Sequence, residues 1–131
     1  MEKRLEGKVA FVTGSGGLIG PAIVRRLAEE GAAVAVSDLS LETAEQLAGE
    51  IVQNGGKACA IALDVTDGAQ VAAAFAEAEK KLGPIDVLIN NAGFYKAPME
   101  SFHKTDATVW RKMIDVNLVA LMDCCAKVLP G

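Results

Sequence analysis

The sequence predicts an α/β fold in which an open, doubly wound parallel sheet carries helices on both faces. Hydrophobic residues switch repeatedly between short unbroken runs and the three-to-four-residue spacing of an amphipathic helix. The short runs are apolar on both faces, as in parallel strands buried between two helical layers. A glycine cluster directly after the first run predicts a tight strand-to-helix turn. Ligands of such sheets bind at the carboxyl ends of the strands.

Four segments have the length and composition of buried strands. The first contains Val9-Ala10-Phe11-Val12, which is too short for a helix and is followed by glycines. The predicted strands are residues 8–13, 32–37, 57–63 and 85–89.

Two helices are predicted between the first three strands. The first has Ile19, Ile23 and Leu27 at helical spacing and ends at Gly31. Ser40 is suited to cap the second. The buried stripe expected on this second helix is Ala44, Leu47, Ala48 and Ile51, before the stop at Asn54-Gly55-Gly56.

Two further helices follow the third and fourth strands. Asp67 and Gln70 resemble a capping box, and Gly83-Pro84 ends that helix. After the fourth strand comes a loop of about fifteen residues, and loops of that length are often functional. The last helix is predicted over residues 106–129, ahead of Pro130-Gly131.

Composition excludes several function classes. The 131 residues suit one domain, predicted over residues 1–131, and the net charge is −4 with no basic run, which argues against nucleic acid. No apolar stretch reaches the roughly 18 residues of a membrane span. The basic start is interrupted by Glu2 and Glu6 and leads into a strand, so it does not resemble a signal peptide. We expect a cytoplasmic protein that binds neither membrane nor nucleic acid.

The three cysteines predict no disulfide and no metal site. Cys124 and Cys125 are neighbours, and Cys59 has no histidine or cysteine at ligand spacing. The single histidine, His103, stands alone. We expect three reduced thiols packed as small hydrophobes.

The glycine turn Thr13-Gly14-Ser15-Gly16-Gly17-Leu18-Ile19-Gly20 is the first candidate site. Glycines three apart allow a sharp turn, close approach of a pyrophosphate and tight helix packing, at a helix N-terminus that favours anions. Pro21 fits only the first helical turn and so fixes the start of the helix. The alternative to a binding site is a tight strand-to-helix turn that is rich in glycine for structural reasons only. The predicted cofactor-binding residues here are Gly14, Ser15, Gly17, Leu18, Ile19 and Gly20.

Asp38 ends the second strand, where a carboxylate can accept hydrogen bonds from both adenosine ribose hydroxyls. It would repel a 2′-phosphate, and no Arg or Lys lies between Ser37 and Glu50 to receive one, so NAD is favoured over NADP. Leu39, the next residue, is a further predicted cofactor contact. The alternative is a solvated loop acid or a cap for the second helix. Together these features predict a Rossmann-type sheet of strand order 3-2-1-4.

Asn90-Asn91-Ala92-Gly93 follows the fourth strand, and with it the sequence resembles a short-chain dehydrogenase/reductase. Thr13-Gly14, Asp38, Asp64-Val65 and Asp115-Val116-Asn117 fit the same register. The resemblance implies that Asn91, Ala92 and Gly93 line the cofactor pocket and that Asp64 and Val65 lie near the adenine. It also implies that Asn117 is a catalytic residue, helping to hold a water in a proton relay. The alternative is a core asparagine bonded to backbone, because it shares a face with Trp110, Met113, Ile114 and Leu121, which we expect to be buried.

Two departures from the family pattern matter. Leu18 stands where most short-chain members have glycine, so the turn is a hybrid with the extended subgroup. The family's catalytic Ser and Tyr-x-x-x-Lys are also missing, since the only tyrosine, Tyr95, has Met99 four residues later. A small part of a substrate wall is expected from Phe94, Tyr95, Met99 and His103.

The function implied is that of the NAD-binding part of an oxidoreductase. The whole protein would transfer a hydride between NAD(H) and a secondary alcohol or ketone, including hydroxyacyl or cyclic alcohols, and would form a homo-oligomer. This chain, truncated relative to the family, is expected to be inactive alone, and its fourth strand would lie at an open edge that favours association. The alternative is a naturally short NAD-binding module or subunit without turnover.

Overall fold

The computed structural model describes residues 2–95 and 100–130. It confirms the predicted sheet: four parallel strands lie in the order β3-β2-β1-β4. The strands are β1 Val9–Val12, β2 Ala33–Asp38, β3 Lys57–Ala62 and β4 Val87–Ile89. β4 is two residues shorter than predicted because Asp86 meets β1 partly through its side chain. Its Oδ2 accepts the hydrogen bond of the Val9 amide at 2.9 Å.

The helices alternate with the strands as predicted. They are α1 Gly20–Glu29, α2 Leu41–Gln53, α3 Gly68–Leu82, α4 Ala107–Ile114 and α5 Ala120–Val128. A short 3₁₀ helix, Phe102–Lys104, precedes α4. The predicted last helix is present but not regular, because a π-helical segment, Asp115–Val119, joins α4 to α5. Segments of this kind frequently occur at functional sites, and this one contains Asn117.

The caps explain where α2 and α3 begin. Ser40 Oγ accepts from the Thr43 amide at 3.3 Å, as predicted for α2. Asp67 Oδ1 accepts from the amides of Ala69 and Gln70 at 3.0 and 3.2 Å. The second half of the predicted capping box is wrong, since Gln70 Oε1 accepts from the amide of Asp64 at 3.1 Å. Gln70 therefore ties the start of α3 to the loop that leaves β3.

The sheet separates two apolar layers, as a doubly wound fold requires. Alternate residues of β1 point to opposite sides: Ala10 and Val12 belong to one core and Phe11 to the other. The rings of Phe11 and Phe75 meet edge to face, with centroids 4.7 Å apart. The first layer contains Val24 of α1 and the predicted α2 stripe Ala44, Leu47, Ala48 and Ile51; the second contains Val71, Ala74, Phe75 and Ala78 of α3 and Cys124 of α5.

The outer face of α4 and of the π-helical segment corrects one expectation. Trp110, Met113, Ile114 and Leu121 were predicted to be buried, but all four are exposed, Ile114 to 53%. Among the described residues, β4 is an edge strand that pairs only with β1, and this helical run buries only Ala120 and Cys124. Trp110 instead stacks on Phe102, with centroids 5.0 Å apart, and its Nε1 donates to Thr105 Oγ1 at 2.6 Å.

Cys59, Cys124 and Cys125 are free cysteines in the structure. Cys124 is buried, and burial raises the pKa of its thiol to about 11. Within residues 2–95 and 100–130, no group of three or more His, Cys, Asp or Glu side chains is placed to hold a metal ion. In the same part of the chain, none of the helices combines the length and the apolar character that crossing a bilayer demands.

Glu30 links the N-terminal segment to the end of α1, and this ion pair gives a prediction about pH. Its carboxylate accepts from Arg4 Nη2 at 2.8 Å and from Arg4 Nε at 3.1 Å, and it also pairs with Arg26. These Arg4 hydrogen bonds lower the pKa of Glu30 from its usual 4.5 to about 2. Because the folded pKa is depressed, the pair stabilises the protein above pH 4.5, and this contribution is lost as the pH falls towards 2.

The Arg4→Gln variant is therefore expected to be less stable than wild type at neutral pH, with a difference that shrinks steadily below pH 4.5. Urea unfolding at a series of pH values measures the difference. Lys80→Gln, which removes an exposed positive charge from α3, is the control and should show no such dependence. A constant difference between Arg4→Gln and wild type across this range would contradict the assignment.

Candidate functional site

The carboxyl ends of the four strands open into a cleft of about 660 Å³. Every predicted cofactor-binding or catalytic residue except Ser15 and Gly20 lines it, so the structure brings together segments from five parts of the chain. The predicted residues that line the cleft are Gly14, Gly17, Leu18, Ile19, Asp38, Leu39, Asp64, Val65, Asn91, Ala92, Gly93 and Asn117.

The glycine turn forms one wall of the cleft and leaves space in front of it. Gly14 has φ +60°, and a Cβ there would lie 2.6 Å from Ala92 Cα, so this position requires glycine. At Gly17 a Cβ would meet only the Gly14 carbonyl oxygen, at 3.7 Å. Among the described residues, the amides of Leu18 and Ile19 donate to no other group. Free amides at the start of α1, beside an open glycine, suit an anionic ligand.

Ser15 and Gly20 shape the turn from behind. Ser15 is fully buried; its Oγ donates to the Val12 carbonyl at 2.9 Å and its amide to the Ser37 carbonyl at 2.9 Å. A Cβ on Gly20 would lie only 2.3 Å from the Ser15 carbonyl oxygen. The structure thus places both residues in the packing between β1, β2 and α1. Their contact with a cofactor stays a prediction.

Asp38 is held rigidly at the edge of the cleft. Its Oδ1 accepts from the Gly16 amide at 3.1 Å, and its Oδ2 accepts from the Ser40 amide at 3.0 Å. A carboxylate offers about four lone-pair sites, so two remain for a ligand. The N-cap of α2 is Ser40, so Asp38 is not the cap of that helix.

Thr13 joins the glycine turn to the loop after β4. Its Oγ1 accepts from the amides of Asn91 and Ala92 at 3.1 and 3.0 Å. The Asn91 side chain makes a third hydrogen bond between the same two segments, because its Nδ2 donates to the Gly14 carbonyl at 2.9 Å. Two walls of the cleft, far apart in sequence, are therefore fixed to each other by three hydrogen bonds.

Asn117 projects from the π-helical segment and pairs with the backbone of Phe94. Its Nδ2 donates to the Phe94 carbonyl at 2.6 Å, and its Oδ1 accepts from the Phe94 amide at 2.9 Å. The backbone partner that the sequence allowed as an alternative is thus present, although Asn117 is exposed rather than buried. A role for Asn117 in a proton relay stays a prediction.

Asp64 marks the end of the cleft next to β3. Hydrogen bonds from the Thr66 hydroxyl and amide, at 2.6 and 2.9 Å, lower the pKa of its carboxyl group. Lys112 on α4 adds a smaller effect in the same direction. The Lys112 ammonium also lies 4.1 Å from the centre of the Phe94 ring. The anionic form of Asp64 is therefore favoured, and the Lys112 ammonium lies near both Asp64 and the Phe94 ring.

Several other residues line the cleft. Phe94 and Tyr95 lie there as expected, His103 does not, and Met99 falls outside the described residues. The sequence analysis missed three more. Leu63 precedes Asp64 directly, and Met113 and Val116 precede Asn117 by four residues and by one. Each of them lies next to a predicted site residue, either along a strand or on the same helical run, and this nearness could have identified them as lining residues. The missed lining residues are Leu63, Met113 and Val116.

Comparison with known proteins agrees with this geometry. The family model described as short chain dehydrogenase matches residues 8–131. Over 124 residues the chain is 43% identical to an uncharacterized oxidoreductase of Bacillus subtilis, YxjF, covering 94% of this chain and 47% of that protein. Over 92 residues it is 48% identical to a sorbitol dehydrogenase of Cereibacter sphaeroides, covering 70% of this chain and 35% of the relative.

A solved structure shows the same fold. The crystal structure of a hydroxysteroid dehydrogenase from Escherichia coli superposes with a TM-score of 0.89 at 35% identity, covering 97% of this chain and 53% of that one. The chain thus spans about half the length of the solved relative and 47% of the first curated one. Motifs, strand order, cleft and family match agree, and the chain belongs to the short-chain dehydrogenase/reductase family of oxidoreductases.

Proposed function

We propose that this chain binds NAD in the cleft and forms the cofactor-binding part of a dehydrogenase for secondary alcohols and ketones. The observation that carries the proposal is the placement of the Asp38 carboxylate and the open glycine turn in one cleft. Oxidoreductases of this family use nicotinamide cofactors, and the two named relatives act on sorbitol and on hydroxysteroids, both of which carry secondary alcohols. The choice of NAD and of this substrate class for the present chain is the proposal.

The residues present fit a dinucleotide. The free amides of Leu18 and Ile19 are placed for the diphosphate, and Gly17 presents no side chain to obstruct it. Asp38 would accept from the two adenosine ribose hydroxyls, and Asp64 and Val65 would border the adenine. When bound, the nicotinamide supplies the acceptor or donor of the hydride. Asn117 would keep the loop at Phe94 in place beside it, through the two hydrogen bonds to that backbone.

The rigid support of Asp38 favours NAD over NADP. Both carboxylate oxygens are anchored, by the Gly16 and Ser40 amides, so the charge cannot swing away to admit a 2′-phosphate. A Cβ on Gly16 would meet Thr43 Cγ2 at 2.6 Å, which shows how closely α2 packs against the turn there. Repulsion between the fixed Asp38 carboxylate and a 2′-phosphate therefore acts against NADP.

The test of the proposal is Asp38→Asn. The amide keeps the size of the carboxylate but removes the charge, and charge-assisted hydrogen bonds are roughly twice as strong as neutral ones. We expect NAD affinity to fall by about tenfold. NADP affinity should rise or stay constant, because the repulsion is gone. Isothermal titration with each dinucleotide measures both.

The matched control for Asp38→Asn is Glu45→Gln, which neutralises an exposed carboxylate on α2 without touching the cleft. It should leave both affinities unchanged. Equal binding of NAD and NADP to the wild-type protein would refute the assigned preference. An NAD affinity indifferent to Asp38→Asn would show that the ribose lies elsewhere.

Turnover needs groups besides these. Tyr95 is the only tyrosine of the chain, and Met99 stands four residues after it. We propose that the acid which exchanges the substrate proton is not among the 131 residues; the named relatives are longer, and this chain covers about half of the first of them and of the solved structure. Tyr95 is 67% exposed at the cleft and, in this proposal, is a wall residue.

A further inference from the structure

The side chain of Leu18 has no packing role in the chain as it stands. It is 98% exposed, more than any other large hydrophobic residue described, although it lies within a turn that lines the cleft. Burial of apolar surface is the main favourable term in folding, and Leu18 contributes almost none of it. Its apolar surface is therefore available to a ligand of the cleft.

The position of Leu18 restricts what that ligand group is. Among the described residues, its own amide and that of Ile19 are free donors beside the start of α1. The preceding residue, Gly17, leaves the space in front of the turn open, with only the Gly14 carbonyl oxygen at 3.7 Å from a built Cβ. An anion bound to these amides would lie in the part of the cleft that Leu18 itself lines. The turn thus places free amide donors beside an exposed apolar side chain.

We propose that Leu18 closes over the diphosphate of the bound dinucleotide as an apolar cover that slows its release. The inference rests on the proposed function and deepens it. Covering the diphosphate buries leucine surface and keeps water away from the amide–phosphate hydrogen bonds, which are stronger at low local dielectric. Since the Leu18 side chain packs against almost nothing in the described chain, its substitution is expected to change binding and to leave the fold unaffected.

The experiment compares Leu18→Ala and Leu18→Met in the native protein, with NAD, adenosine diphosphate and adenosine as three separate ligands. Leu18→Ala is expected to raise the Kd for NAD and for adenosine diphosphate by roughly tenfold, mainly through faster dissociation. Affinity for adenosine, which lacks the diphosphate, should not change. Leu18→Met, which keeps a long apolar side chain, should restore binding, and neither variant should shift the Tm.

Leu129→Ala is the matched control, because Leu129 is also a highly exposed leucine, at 79%, and lies at the end of α5 outside the cleft. It should bind all three ligands like wild type. If NAD dissociates from Leu18→Ala at the wild-type rate, the proposal that Leu18 covers the diphosphate is wrong. A loss for NAD without a loss for adenosine diphosphate would also overturn it, by placing Leu18 against the nicotinamide half. If wild type binds neither NAD nor adenosine diphosphate, the proposed function fails as well, so the two failures are distinguishable.

Discussion

Gly20→Ala is expected to lower the free energy of unfolding by about 3 kcal/mol, the upper end of the usual range for overpacking. The new Cβ would lie 2.3 Å from the carbonyl oxygen of Ser15 and 2.5 Å from its carbonyl carbon. These are backbone atoms, and Ser15 is itself fixed by hydrogen bonds to Val12 and Ser37, so no side chain can swing aside. Urea unfolding followed by circular dichroism measures the loss.

The control for Gly20→Ala is the same substitution at Gly49. This glycine is exposed in the interior of α2, and a Cβ there would meet nothing within 4 Å. Gly49→Ala should therefore stabilise the protein by roughly 0.5–1 kcal/mol, the helix preference of alanine over glycine. Similar changes at both positions would show that close packing of α1 against the turn at Ser15 is not what requires Gly20.

Gly17→Ala should separate binding from folding. In the absence of ligand the new methyl group meets only the Gly14 carbonyl oxygen, at 3.7 Å, which is ordinary contact. The free energy of unfolding is thus expected to stay within about 0.5 kcal/mol of wild type. The same methyl group occupies the space proposed for the diphosphate. A clash of about 1–3 kcal/mol corresponds to a loss of roughly 5–150-fold in NAD affinity.

Titration with NAD and thermal unfolding of the same Gly17→Ala sample check both halves of this prediction. Gly49→Ala serves again as the control, since it adds one methyl group far from the cleft and should bind NAD like wild type. Tight binding by Gly17→Ala would mean that the diphosphate does not approach the turn at this position. An unfolded variant would mean that Gly17 is required by the chain itself.

The architecture was predictable because local pattern and tertiary packing agree. The α2 residues at helical spacing, Ala44, Leu47, Ala48 and Ile51, are the ones that are buried. Gly14, Gly17 and Asp38 reach one cleft because parallel strands end at the same edge of the sheet. The sheet topology therefore places the residues that follow a strand directly, and apart from Asn117 these are the site residues that the sequence identified.

The rest depended on contacts that no local pattern contains. The pairing of Asn117 with the Phe94 backbone joins residues 23 positions apart, and no pattern in either segment predicts it. The π-helical segment has an ordinary helical sequence. The stripe from Trp110 to Leu121 has the spacing of a buried face, yet a stripe predicts only that a helix has an apolar side and not that something covers it. Met113 belongs to this stripe and was therefore expected in the core, although it lines the cleft.

The hydroxyl of Thr13 has a consequence for the way a ligand enters. It holds the amides of Asn91 and Ala92, while Asn91 holds the Gly14 carbonyl, so the two walls behave as one rigid body. A ligand meets surfaces that are already in their final relative position. Little conformational entropy is then lost on these segments when they are occupied, and preorganisation of this kind strengthens association without adding a single contact. The ordering was completed earlier, when the chain folded.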